Sequence, residues 1–167
     1  MADYIGFGVA CLERNLRLNK LQNVEVHRKA VSGEEGEIVF YYDPSNPGSL
    51  RMSTIRERMS GSYQKVDAVP LSKYIDREVD FLKLDVEGVE KAVIKDLKRE
   101  NKLVWIREMA IEYHHHIHKD DDTLSEMLKD LEDAGFGYQI SGSQTHPFQR
   151  SRFQDILVYA YRKALIA

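Results

Sequence analysis

The chain has 167 residues, of which 43% are hydrophobic and 31% charged, with a net charge of −3. That balance suits one globular domain with its own core and excludes a general electrostatic attraction to nucleic acid or anionic membrane. The one cysteine, Cys11, rules out a disulfide within the chain, and no apolar run is long enough to span a bilayer, so the expected location is the cytoplasm.

Residues Tyr4 to Val9 read as a short apolar strand or turn, broken by Gly6 and Gly8. A helix is predicted from about Ala10 to Asn19, with Leu12 and Leu16 on one face and Cys11 buried as a small apolar residue. Asn23 to Val31 alternates like a strand, Gly33 to Gly36 is a turn, and Glu37 to Tyr42 reads as another strand. The connection 43–61 is rich in proline, glycine and serine and is expected to be a mobile loop. Val66 to Leu71 is extended, and Ser72 to Ile75 forms one helical turn.

Val79 to Val86 is predicted to be a strand covered on both faces, because Phe81, Leu82, Leu84 and Val86 are apolar. A helix over Gly88 to Arg99 follows, with Val89, Ala92, Val93 and Leu97 inward and Lys91, Lys95 and Lys98 toward water. Leu103 to Tyr113 is the next strand. Thr123 and Glu126 have the spacing of a capping box at the start of a helix that Gly135 closes. Phe136 to Ser141 and Gln154 to Tyr161 are the last strands, the second of a fully buried type. This order predicts a single α/β domain over 1–167, with a mostly parallel sheet.

Ligands of open α/β sheets bind at the carboxyl ends of the strands. Two strands end in polar clusters, Asp85-Val86-Glu87-Gly88 and Glu112-Tyr113-His114-His115-His116-Ile117-His118. As neighbours, they would bring carboxylates and imidazoles into one crevice, a setting for proton transfer or a metal. Taken alone, Asp85, Glu87 and Glu90 read first as carboxylates at a helix start. The histidine run reads first as a solvated turn, so no metal ligand is assigned. Gly6-Phe7-Gly8 is half of a dinucleotide-type glycine fingerprint and lacks the third glycine.

The string Val79-Asp80-Phe81-Leu82-Lys83-Leu84-Asp85-Val86-Glu87-Gly88-Val89-Glu90 resembles the signature of FkbM-type methyltransferases. Asn15 to Leu21, Ala30-Val31-Ser32, Ala110 to His114, Ala134-Gly135-Phe136 and Asp155 to Ala160 are similar to the family's other elements. The resemblance implies a Rossmann-like methyltransferase fold with an antiparallel C-terminal strand, and S-adenosylmethionine as methyl donor. It implies transfer to a hydroxyl of a sugar or small natural product.

By that resemblance the catalytic residues are Asp85, Glu87 and His114. The cofactor would meet Asp3, Gly6, Gly8, Ala30, Val31 and Asp85, and the hydroxyl acceptor would meet Glu90, Glu112 and His114. The family's glycine-rich first turn has no counterpart in these residues, so the fold is expected to be incomplete at its N-terminal side. A homo-oligomer covering the open sheet edge is the expected compensation. The alternative is a non-catalytic remnant that serves as a binding or assembly module.

Overall fold

A computed structural model describes residues 4–42, 52–53, 62–117, 123–142 and 154–165. The elements in chain order are α1 (Tyr4–Leu18), β1 (Ala30–Ser32), β2 (Gly36–Tyr42), β3 (Met52–Ser53), β4 (Ser62–Pro70), β5 (Val79–Leu84), α2 (Glu90–Arg99), β6 (Ile106–His115), α3 (Leu124–Asp133), β7 (Phe136–Gly142) and β8 (Gln154–Arg162). Single 3-10 turns precede β5 and β6, at Leu71–Tyr74 and Leu103–Trp105.

The strands form two four-stranded sheets, ordered β1-β4-β2-β3 and β5-β6-β8-β7. Both are mixed, where the sequence predicts one mostly parallel sheet. In the first, β1 runs parallel to β4, while β2 is antiparallel to both β3 and β4. In the second, β5 and β6 are parallel and β8 is antiparallel to β6 and β7. Three of its strands therefore point one way, and the C-terminal strand, inserted between β6 and β7, runs against them.

One face of the second sheet supplies the core. Leu84, Met109, Ile111, Tyr113, Ile156, Val158 and Ala160 pack with Val93, Ile94 and Leu97 of α2 and with Met127 and Leu131 of α3. Burial of side chains this size is the main stabilising term, about 1.5–3 kcal/mol for each fully buried one. No described helix packs on the other face. Phe81 is 53% exposed and Leu157 47% exposed, so neither β5 nor β8 is covered on both sides as the sequence predicts. The reason is positional: β5 is an edge strand, and the helices that pack on this sheet share one face.

Helix α2 joins the two sheets. The turn after β1 approaches it so closely that a Cβ on Gly33 would lie 2.7 Å from the Ala92 carbonyl oxygen. Asp96, 1% exposed, accepts from the Ser72 amide and the Ser72 hydroxyl, both at 3.0 Å, and pairs with Arg99 at 2.9 Å. A buried carboxylate is tolerated only with such partners. Lys91, Lys95 and Lys98 turn toward α3 instead of standing alone in water. Lys91 donates to the Thr123 hydroxyl at 2.5 Å, Lys95 to Glu126 at 3.0 Å, and Lys98 to Asp130 and Asp133 at 2.7 and 2.9 Å. These ties replace the predicted capping box, for Thr123 makes no side-chain cap. Gly135 closes α3 at φ +86° as expected.

The N-terminal segment departs most from the sequence reading. Tyr4 to Val9 is not a strand; α1 runs continuously through it. Extending a helix backward from the run Val9 to Leu16 costs less than starting one, and it overrides two glycines. Leu12 is 45% exposed and Cys11 is exposed, not buried. Of the strand predicted over Asn23 to Val31 only Ala30 and Val31 form, in β1, because only they find a ladder partner in β4. Of the 43–61 connection, Met52–Ser53 pairs with β2; the rest lies outside the described residues. No described helix is long and apolar enough to cross a membrane.

Candidate functional site

β5 and β6 are parallel, so their carboxyl ends, at Leu84 and His115, lie at the same end of the sheet. The chain leaves β5 through Asp85, Val86, Glu87, Gly88 and Val89 before α2 begins at Glu90. Two successive left-handed residues make this turn sharp: Glu87 at φ +54° and Gly88 at φ +107°. The second conformation strongly favours glycine, and a Cβ there would also lie 2.6 Å from Cδ1 of Ile117. The first is strained for a glutamate and is held by its surroundings.

Glu90 does the holding. Its side chain is 2% exposed. One carboxylate oxygen, Oε1, accepts from the Val86 amide at 3.3 Å and the Gly88 amide at 3.0 Å. The same oxygen lies 2.8 Å from Nδ1 of His114. An ionised carboxylate only accepts, so Nδ1 carries the proton and Nε2 faces the other way. The sequence places Glu90 among the acceptor-binding residues; burial and these contacts make it the group that positions the turn and the imidazole.

His114 is 4% exposed at its side chain, and its Nε2 lies 3.5 Å from Oε2 of Glu87 and 4.0 Å from Oδ1 of Asp85. Burial pushes its pKa down, but the hydrogen bond and charge of Glu90, with the charges of Glu87 and Asp155, outweigh burial and raise it. Asp85 and Glu87 are each 35% exposed at the side chain, open enough to meet a ligand. Lys83 reaches the outer oxygen of Asp85 at 3.0 Å and stands 4.0 Å from Glu112.

The sheet register completes the cluster. His114 lies opposite Asp155, and Glu112 opposite Leu157. These residues fall on the same side of the sheet because side chains alternate along a strand. Ligand atoms of Asp85, Glu87 and His114 lie within 4.8 Å of one another, and so do those of Glu112, His114 and Asp155. The structure therefore brings together Asp85, Glu87, Glu90, Glu112 and His114, all named from the sequence. It adds Asp155, which no local signal marks, since only the pairing of β8 with β6 puts it there.

The remaining sequence candidates lie elsewhere. Ala30 and Val31 form β1 of the first sheet, with Ala30 8% exposed and Val31 packed against the core. Gly6 and Gly8 are inside α1, so they make no phosphate-type loop. Asp3 and His118 lie outside the described residues.

Comparison with known proteins fits this geometry. The family model for the methyltransferase FkbM domain matches residues 8–138. The crystal structure of a methyltransferase FkbM from Methylobacillus flagellatus KT, at 2.20 Å resolution, superimposes with a TM-score of 0.54 at 21% sequence identity. That likeness is one of fold. It covers 93% of this chain and 34% of the other, so the present chain spans about a third of that protein's length. No curated protein matches the sequence significantly. With more than half its length matched by the family model, and with the acidic turn after β5 intact, the chain belongs to the FkbM methyltransferase family.

Proposed function

We propose that the chain is an S-adenosylmethionine-dependent methyltransferase domain acting on a hydroxyl of a sugar or small natural product, in a Rossmann-like frame formed by β5, β6 and their helices. The convergence of Asp85, Glu87 and His114 at the carboxyl ends of β5 and β6 carries this reading. The cofactor supplies a methyl group on a cationic sulfonium, and the carboxylates of Asp85 and Glu87 suit that positive charge. In this reading Asp85 meets the cofactor at the transfer point. Glu112 and His114 meet the acceptor.

Methylation of a hydroxyl requires loss of its proton. Nε2 of His114 is the acceptor atom, because Nδ1 is committed to Glu90. The carboxylates of Glu90 and Glu87 raise the pKa of this histidine, which makes its imidazole a stronger proton acceptor. Glu90 fixes the tautomer, and the buried position of the ring fixes its direction. A reducing, cytoplasmic setting suits the exposed Cys11.

Calorimetric titration with S-adenosylmethionine tests the reading. The expected result is saturable heat that Asp85→Asn weakens about tenfold or more, the scale of one charge-assisted contact. No heat at millimolar cofactor overturns it for this chain. One observation favours a second reading, a non-catalytic binding or assembly module: among the described residues β5 is an edge strand, and it carries the exposed Phe81, the kind of edge that pairs with another chain. Light scattering on the eluting protein separates the two. A dimer without cofactor binding supports the module, and a cofactor-binding dimer supports an enzyme completed by assembly.

A further inference from the structure

We infer that the carboxylates around His114 form a binding site for one divalent cation of the manganese or zinc class, with Nε2 of His114, Asp85 and Glu87 as ligands and Glu112 and Asp155 on the adjoining flank. The inference stands on the donor set and does not depend on methyl transfer; an ion on Nε2 occupies the atom that takes up the proton in that reading, so the metal-loaded state is distinct from the transferring one.

The donors come from three separate elements, the turn after β5, strand β6 and strand β8, and share His114 as their centre. Ligands held about 2.0–2.2 Å from one ion stand at most about 4.4 Å apart. Nε2 of His114 is already 3.5 Å from Glu87 and 4.0 Å from Asp85. Both acidic side chains are part-exposed, so small rotations close the remaining distance.

The imidazole is prepared for this role. Its Nδ1–H points to a buried carboxylate, Glu90, which is the partner that metal-bound histidines commonly have on their other nitrogen. That hydrogen bond turns Nε2 toward Asp85 and Glu87. A cation there takes the place of the proton that Nε2 otherwise shares with these carboxylates, so binding is expected to compete with protonation. Lys83 brings one positive charge from the outer side, where it holds the far oxygen of Asp85. It also competes with a cation for that carboxylate. One imidazole with several carboxylates is a mixed nitrogen and oxygen set, which suits manganese or zinc better than an all-oxygen ion such as calcium. The sequence alone assigns no metal ligands because it reads the histidines as a solvated turn on a strand whose neighbours point to opposite faces. The fold supplies the missing donors by register.

The test is a titration of chelator-stripped protein with Mn2+, followed by the loss of the free-ion electron paramagnetic resonance signal, and repeated with Zn2+ by calorimetry. One ion per chain is expected. Glu87→Gln, which keeps the size of a part-exposed side chain, should weaken binding at least about tenfold. His114→Gln should abolish it. Lys83→Met should tighten binding severalfold by freeing Asp85, an effect that general loss of folding cannot produce. Absence of Mn2+ and Zn2+ binding at millimolar concentration overturns the proposal. So does binding that Glu87→Gln leaves unchanged while its melting curve matches the parent protein. S-adenosylmethionine titration of the same stripped protein keeps this result separate from the methyltransferase reading.

Discussion

Two glycine-bearing segments look alike in the sequence and differ in the structure. Gly6-Phe7-Gly8 precedes an apolar run and suggests a ligand-binding turn, but it is ordinary helix, and a Cβ on Gly8 would meet nothing within 4 Å. Gly88 also precedes a helix, yet it sits at φ +107° with Ile117 against its α-carbon. Buried acceptors hold the backbone around it. A glycine marks a site when the chain around it is forced into a conformation that other residues avoid. That force comes here from the Glu90 carboxylate, which accepts from the Val86 and Gly88 amides, not from the glycine.

The largest effect that sharpens this contrast should come from Glu90→Ala. It strips the acceptor from two turn amides and from Nδ1 of His114. Chemical denaturation should show a loss of about 3 kcal/mol, since each unpaired buried donor costs about 1–3 kcal/mol. Gly88→Ala should cost about 2 kcal/mol, through its left-handed backbone and the contact with Ile117. A Gly88→Ala protein as stable as the parent would break the comparison at its centre.

A pH series comes next, in chelator so that only protons compete. The folded pKa of His114 is raised above its unfolded value of about 6.5. Its stabilising contribution is therefore full below about pH 6.5 and disappears as pH rises through the raised value. The parent should lose stability over that window, and His114→Gln should lack this limb. The smallest effect is expected in α1. Gly8→Ala should stabilise the protein by about 0.5–1 kcal/mol, the ordinary gain for a glycine in an exposed helix. Destabilisation there would show that the segment carries a constraint invisible in its packing.

The second half of the chain was more legible than the first. The i, i+3, i+4, i+7 spacing of Leu124, Met127, Leu128 and Leu131 fixes α3, and the polar ends of β5 and β6 point to the cluster that forms. Two misreadings and one omission share one cause, that partners distant in sequence decide local fate. Phe81 is exposed because β5 ends the sheet. Thr123 does not cap because Lys91 takes its hydroxyl. Asp155 joins the site because β8 pairs with β6 in one register. Periodicity reports which side of an element is apolar; it does not report what lies opposite.

The insertion of β8 between β6 and β7 has a consequence for synthesis. Both neighbours emerge from the ribosome before the strand that separates them. Until residues 154–162 are translated, β6 and β7 each present an unpaired edge, and the apolar face carrying Met109, Ile111 and Phe136 cannot close. Such edges are sticky. Arg162 arrives last in β8 and donates to the carbonyls of Leu103, Ile106 and Ala134, fastening the strand across three earlier segments. Closure of this sheet thus waits for β8, and chains stalled before this strand should be the ones that chaperones hold.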